Sequence, residues 1–206
     1  MTKKPEYKVS HFDEEFFEGV TGEKGGNRIN VHAKGLGVVR GVVSVLSAGF
    51  HGKTFLDVGC GVGWFVKFLR ELGEDVKGVE LSQYAVDKAI VSDIVQGDLR
   101  DLSHINGQYD VVFAWNVLAY LVEEDVKKAI DSMRRLTKGH LVFGIVTTEV
   151  LKKLPHGKPG RLTIKPWEWW HKQFVLCGLV QDLEMAAKMN KLGGGSWNIF
   201  CLKEKE

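Results

Sequence analysis

Apolar positions along this chain switch repeatedly between two periods. The run KTFLDVGC, from Lys53, is short and almost continuously apolar, whereas the following GWFVKFLRELG repeats its apolar residues at Phe65, Phe68, Leu69 and Leu72, the spacing of one helical face. A strand, a glycine-rich turn and a helix are predicted. The unit returns as DVKGVEL before SQYAVDKAI, as IVQGDL, as YDVVFAW before EEDVKKAIDSMRRLTKG, and as HLVFGIVTT before WEWWHKQFVLCGL. Strands alternating with helices predict a parallel sheet covered on both faces. Near the end, DLEMAAKM and SWNIFCLK read as two strands joined only by NKLGGG, and so short a connection requires an antiparallel pair. The expected fold is α/β: a Rossmann-like three-layer sandwich with a seven-strand, mostly parallel sheet whose last strand is antiparallel.

Upstream, Leu36, Val39, Val43 and Leu46 fall on one helical face after the turn-forming GEKGGNR. A single domain over residues 1–206 is expected, with 1–50 as an N-terminal helical cap and 51–206 as the core, since 206 residues suit one compact unit. Hydrophobic residues at 44% and charged residues at 26% lie near the globular average, which argues against disorder. No apolar run approaches the roughly 20 residues that cross a bilayer, and MTKKPEYK leads into acidic HFDEEFFEG rather than a signal core, so a cytoplasmic protein is expected. Cys60, Cys177 and Cys201 are far apart and not spaced like a metal knuckle, so free buried thiols and no metal are expected. The net charge of +2 makes nucleic acid an unexpected partner. One interior stretch, Leu151 to Lys165, nevertheless carries Lys152, Lys153, Lys158, Arg161 and Lys165 with no acid.

In an open parallel sheet a ligand binds beyond the carboxyl ends of the strands, where the strand order reverses. The loop after the first strand is DVGCGVG, in which Gly59, Gly61 and Gly63 permit a tight turn and close backbone approach. A dinucleotide fingerprint would be GxGxxG, but here Trp64 stands at the third glycine and would crowd a pyrophosphate. Glu80, ending the second strand, is placed to accept both hydroxyls of a ribose, and Asp98, ending the third, to accept an adenine amino group. Together these describe an adenosine site without a diphosphate. Each also has a simpler role: Asp57 or Asp98 as a turn or helix cap, Glu80 as a solvated strand-end charge.

FLDVGCGVG, GVELS, QGDL and YDVVFAWNVLAYL resemble, in order, the motifs of the class I S-adenosylmethionine-dependent methyltransferase superfamily of small-molecule type, over roughly residues 53 to 146. The resemblance implies S-adenosyl-L-methionine as cofactor. It implies that Asp57, Gly59, Cys60, Gly61 and Gly63 hold the methionine end, Glu80 the ribose, and Asp98 with the Leu99 amide the adenine. Leu81 would pack on the adenine face, and Trp115 and Asn116 would line the methyl-donor pocket. LTIKPWEWWHKQFVLCGL is similar, more loosely, to the corresponding region of small methyltransferases acting on sugars and other metabolites. HFDEEFFEG resembles the aromatic and acidic segment that can close over the cofactor, with Phe12, Phe16 and Phe17 as a lid or as part of a permanently packed helix.

Displacement at an activated methyl carbon can rely on proximity and alignment without a dedicated base. If a base serves a hydroxyl acceptor, His171, Tyr120, His156 and His11 are the candidates, although Tyr120 and His171 also suit core positions. The expected partner is a small-molecule acceptor, anionic or sugar-like, with His156, Lys158 and Arg161 as substrate contacts from the basic stretch. Three alternatives stay open: an RNA methyltransferase, a nicotinamide-dependent oxidoreductase, and a non-catalytic S-adenosylmethionine-binding protein.

Overall fold

The computed structural model describes residues 12–18, 33–151, 160–192 and 198–205. In chain order these form α1 (Glu14–Glu18), α2 (Ala33–Phe50), β1 (Thr54–Val58), α3 (Trp64–Glu71), β2 (Asp75–Glu80), α4 (Gln83–Asp87) and β3 (Ile94–Gln96). There follow β4 (Tyr109–Trp115), a 3₁₀ turn (Leu118–Tyr120), α5 (Glu123–Arg135), β5 (Thr137–Ile145), α6 (Thr148–Leu151), α7 (Trp167–Leu176), β6 (Leu179–Gln181), α8 (Leu183–Leu192) and β7 (Asn198–Glu204). The seven strands lie in the order β3-β2-β1-β4-β5-β7-β6, reversing direction of build between β1 and β4. β1 pairs in parallel with β2 and β4, β2 with β3, and β4 with β5, while β7 runs antiparallel between β5 and β6.

β1 reads TFLDV because it is covered on both faces. Its Leu56 and Val58 join Val112, Phe143, Ile130, Met133, Trp170 and Phe174 in one core layer, beneath α5 and α7. Its Phe55 joins Val111, Phe113, Val142, Val43, Leu46, Leu69 and Met189 in the other, beneath α2, α3 and α8. The two sets alternate along the strand, as the pleat requires. Burial of a large apolar side chain contributes about 1.5–3 kcal/mol, so these layers supply the main favourable term of folding.

The segment DLEMAAKM departs from its expected strand. It is α8, and the strand opposing β7 on that side is the short LVQ of β6. The alternation of Leu183 and Met185 around Glu184 covers too few residues to define a strand, and Leu, Met, Ala and Lys are all good helix formers. Asp182 starts the helix by accepting the Met185 amide at 3.0 Å. Ala186 and Met189, three apart, are the positions it buries. On α2, Gly49 lets α8 approach, since a Cβ there would stand 3.1 Å from the Met185 sulfur.

At the amino end of the sheet, α2 is fastened by the buried Glu74. Its Oε1 accepts from Ser47 Oγ at 2.6 Å and contacts His51 Nδ1 at 2.8 Å, and its Oε2 accepts the Gly52 amide at 3.0 Å. Burial alone would raise this carboxyl, but the hydrogen bonds from Ser47, His51 and Gly52 together hold it below the ordinary Glu range. Among the described residues no helix is long and apolar enough to cross a membrane.

Because the folded-state pKa of Glu74 is depressed, the stability it contributes is present above the usual Glu range and is lost as pH falls through the folded value. Glu74→Gln is expected to lower unfolding free energy at pH 7 by about 1–3 kcal/mol. In urea denaturation followed from pH 7 to pH 3, the difference from the parent protein should shrink toward the acid end; a constant difference would contradict this assignment.

Candidate functional site

The strand-order reversal separates the carboxyl ends of β1 and β4, and a cleft opens there, lined by Phe12, Gly59, Glu80, Leu81, Gly97, Leu99, Val117 and Tyr120. Its floor is the loop after β1. Gly59, Gly61 and Gly63 have φ of 78°, 58° and 93°, the left-handed region that glycine enters without penalty. The Gly59 and Cys60 amides both donate to Val79 O, at 2.7 and 3.1 Å, and the Gly61 amide donates to Glu80 Oε2 at 2.7 Å. The loop is thus folded back onto the end of β2. A Cβ at Gly59 would lie 2.5 Å from Val117 Cγ2, so Val117 closes directly over the loop.

Glu80 is 7% exposed and is held at both oxygens, with Oε1 accepting the Ser82 amide at 2.9 Å. Two backbone N–H groups fix the orientation of this carboxylate. Asp57 sits below the loop, 1% exposed, and its Oδ2 has no hydrogen-bond partner. Burial, with the nearby Glu80 charge second, pushes its carboxyl well above the ordinary Asp range. The Cys60 thiol is likewise raised by burial and then by Asp57 and Glu80, so it stays protonated. Cys177 and Cys201 are also buried and unpaired, their thiols pushed up by burial to about 11 and about 12.

Leu81 and Leu99 supply apolar lining to the same cleft. Asp98 is differently engaged: its two oxygens receive the Arg100 guanidinium at 2.6 to 3.0 Å, and Arg100 reaches on to Asp125 at 3.0 Å. Trp115 packs on Phe65 with ring centroids 5.9 Å apart and lies over Gly144, outside the cleft lining. Asn116, next in sequence, adopts φ 56°, donates its amide to Gly144 O at 2.7 Å, and has a buried Oδ1 without a partner. Asn is among the few non-glycine residues that tolerate this conformation, and its occurrence at a strand end bordering a cleft is typical of functional sites.

The N-terminal aromatics are docked. Ser82 Oγ donates to Phe12 O at 2.5 Å, and Phe16 and Phe17 are buried with Val62, Ala85 and Tyr120. Phe12 and Phe16 both meet Tyr120 edge-on, with centroids 5.7 Å apart. Tyr120 therefore reaches the cleft, whereas His171 lies on α7, stacked on Trp167 at 4.9 Å and apart from the cleft lining. Arg161 stands over the Tyr120 ring. His11, Lys152, Lys153, His156 and Lys158 lie outside the described residues.

Gly97 and Val117 line the cleft without having been singled out in the sequence. Gly97 stands in the QGDL run, and the structure shows why that position is a glycine: a Cβ there would meet Val79 and His104 at 2.7 and 3.0 Å. Val117 carried no signal, because an apolar residue after a strand looks like core.

Residues 56–143 match the family described as a methyltransferase domain. The ubiquinone biosynthesis O-methyltransferase of Pectobacterium atrosepticum is 27% identical over 117 residues, which are 52% of this chain and 48% of that protein. The chain thus spans about half the length of that relative. Among solved structures, the sugar N-methyltransferase from Streptoalloteichus superposes with a TM-score of 0.68 at 19% identity, covering 85% of this chain and 90% of that one. Magnesium protoporphyrin IX methyltransferase from Synechocystis, solved with bound S-adenosylhomocysteine, gives 0.62 at 20% identity over 86% and 87%. At these identities the two structures show a common fold.

The raised carboxyl of Asp57 means that folding favours its protonated form, so this residue costs stability as pH rises above the ordinary Asp range. Asp57→Asn is expected to raise the melting temperature of the ligand-free protein at pH 7, by the equivalent of about 1–3 kcal/mol for a relieved buried charge. The gain should diminish toward pH 4. A lower melting temperature at pH 7 would show that Asp57 is structurally required instead.

Proposed function

We propose that this chain is a class I S-adenosylmethionine-dependent methyltransferase, transferring the methyl group of S-adenosylmethionine to a small-molecule acceptor in the cleft between β1 and β4. The observation that carries this reading is Glu80. Its carboxylate is fixed by two backbone amides on the cleft wall, between the glycine loop and the apolar Leu81 and Leu99. That arrangement suits a nucleoside: hydroxyls at the carboxylate and a base against the leucines.

The residues fit such a cofactor at its other end too. Asp57 Oδ2 is a buried acceptor in need of a donor, which the α-ammonium of a methionine moiety provides directly or through water. Bound there, the cofactor supplies an activated methyl carbon. The chain's own contribution is then to hold the acceptor in line and exclude water, with Phe12, Val117 and Tyr120 forming the rim. Asp98 serves the adenine amino group only if it shares or yields its bond to Arg100; the Leu99 backbone and the walls carry the rest.

The cleft combines mostly apolar walls with one fixed carboxylate, the composition of a small-molecule site. S-adenosylmethionine and S-adenosylhomocysteine are each expected to raise the melting temperature, because each binds only the folded state, while NAD leaves it unchanged. Glu80→Gln, which keeps an acceptor for the Gly61 amide, should weaken S-adenosylhomocysteine binding about tenfold to a hundredfold in calorimetry. Stabilisation by NAD and by neither adenosyl compound would overturn the proposal.

A further inference from the structure

We propose that Arg161 determines acceptor specificity by binding an anionic oxygen group, a carboxylate or a phosphate monoester, on the methyl acceptor. The inference deepens the methyltransferase reading and rests on it.

Three observations lead here. First, the chain from Gly160 is laced across the turn that follows β4. The Leu162 and Thr163 amides both donate to Ala119 O, at 2.8 and 3.0 Å, and Thr163 Oγ1 donates to Leu121 O at 2.7 Å. Gly160, with φ 72°, lies so close that a Cβ would stand 3.4 Å from the Tyr120 ring. Arg161 is thereby held beside a residue of the cleft wall.

Second, its side chain is placed but not paired. Its Cζ lies 5.5 Å from the centroid of the Tyr120 ring, a cation–π contact that uses the charge and none of the N–H donors. Arg161 is half-buried, and its Nε is buried with no hydrogen-bond partner. Third, the other five described arginines are all engaged. Arg40 meets Glu71, Arg70 meets Asp93, Arg100 meets Asp98 and Asp125, Arg134 meets Glu204, and Arg135 donates to Leu102 O. Arg161 has no carboxylate among the described residues.

A guanidinium is a rigid fork of donors matched to two oxygens of one group, and a buried donor left empty is unfavourable. An acceptor whose oxyanion meets that fork fills the deficit, and Arg161 stands next to Tyr120, a residue of the cleft lining. The aromatic rim of Phe12 and Tyr120 suits an acceptor with an apolar body.

The test uses three probes with one phenyl body: benzoate, phenyl phosphate and the neutral, near-isosteric benzamide. Each is titrated into the full chain, alone and saturated with S-adenosylhomocysteine, and followed by NMR at the arginine Nε–Hε signals. At least one anion should bind about tenfold tighter than benzamide and shift the Arg161 signal, and the tighter anion identifies the group. Arg161→Gln should abolish that preference without changing S-adenosylhomocysteine affinity, and Arg161→Lys should retain part of it. Equal binding of benzamide and both anions, or a preference that survives Arg161→Gln, would overturn the proposal. Failure of S-adenosylhomocysteine to bind would overturn the methyltransferase reading instead, and the titration of the chain alone still decides the role of Arg161.

Discussion

The hydrogen bond from the Gly61 amide to the Glu80 carboxylate, at 2.7 Å, organises this end of the molecule. It is made possible by three left-handed glycines, which turn the chain leaving β1 back onto the end of β2. Once the loop lies there, Val117 can close over Gly59 and Phe17 can settle near Gly61, so the exit of β4 and the docking of the N-terminal aromatics follow from the same turn. The bond also points a carboxylate at the cleft with its geometry already fixed. Preorganisation of this kind removes an ordering cost that a ligand would otherwise have to meet.

The two ends of the sheet treat their buried acids in opposite ways. At the amino end Glu74 is surrounded by donors from Ser47, His51 and Gly52, and its carboxyl is held low. At the carboxyl end Asp57 is buried with an oxygen unfilled and with Glu80 nearby, and its carboxyl is pushed high. The first arrangement stabilises the fold. The second is tolerated because the apolar layers on either face of β1 hold the strand in place regardless. Asn116, at the end of β4, likewise has a buried Oδ1 without a partner.

The sheet was legible in the sequence because parallel strands buried on both faces leave continuous apolar runs such as TFLDV and YDVVFAW, and because glycine spacing reports backbone conformation directly. Glu80 was legible for the same reason, as an acid at a strand end. What depended on contacts between distant residues was not. The pairing of Asp98 with Arg100 and Asp125, the seating of Trp115 on Phe65, and the stacking of His171 on Trp167 away from the cleft arise from side chains meeting across the fold. The segment DLEMAAKM is a helix rather than the expected strand because its first four alternating residues only mimic a strand, while Asp182, which opens that run, caps the helix.

The central claim is that an adenosyl ligand lies across Glu80 with its base between Leu81 and Leu99. A crystal structure of the full chain grown with S-adenosylhomocysteine tests it most directly. The account predicts both ribose hydroxyls within hydrogen-bond distance of the Glu80 carboxylate, with the Gly61 amide still bound to the same side chain. Ligand density elsewhere, or a ribose held by other residues while Glu80 bonds only its own backbone, would contradict it.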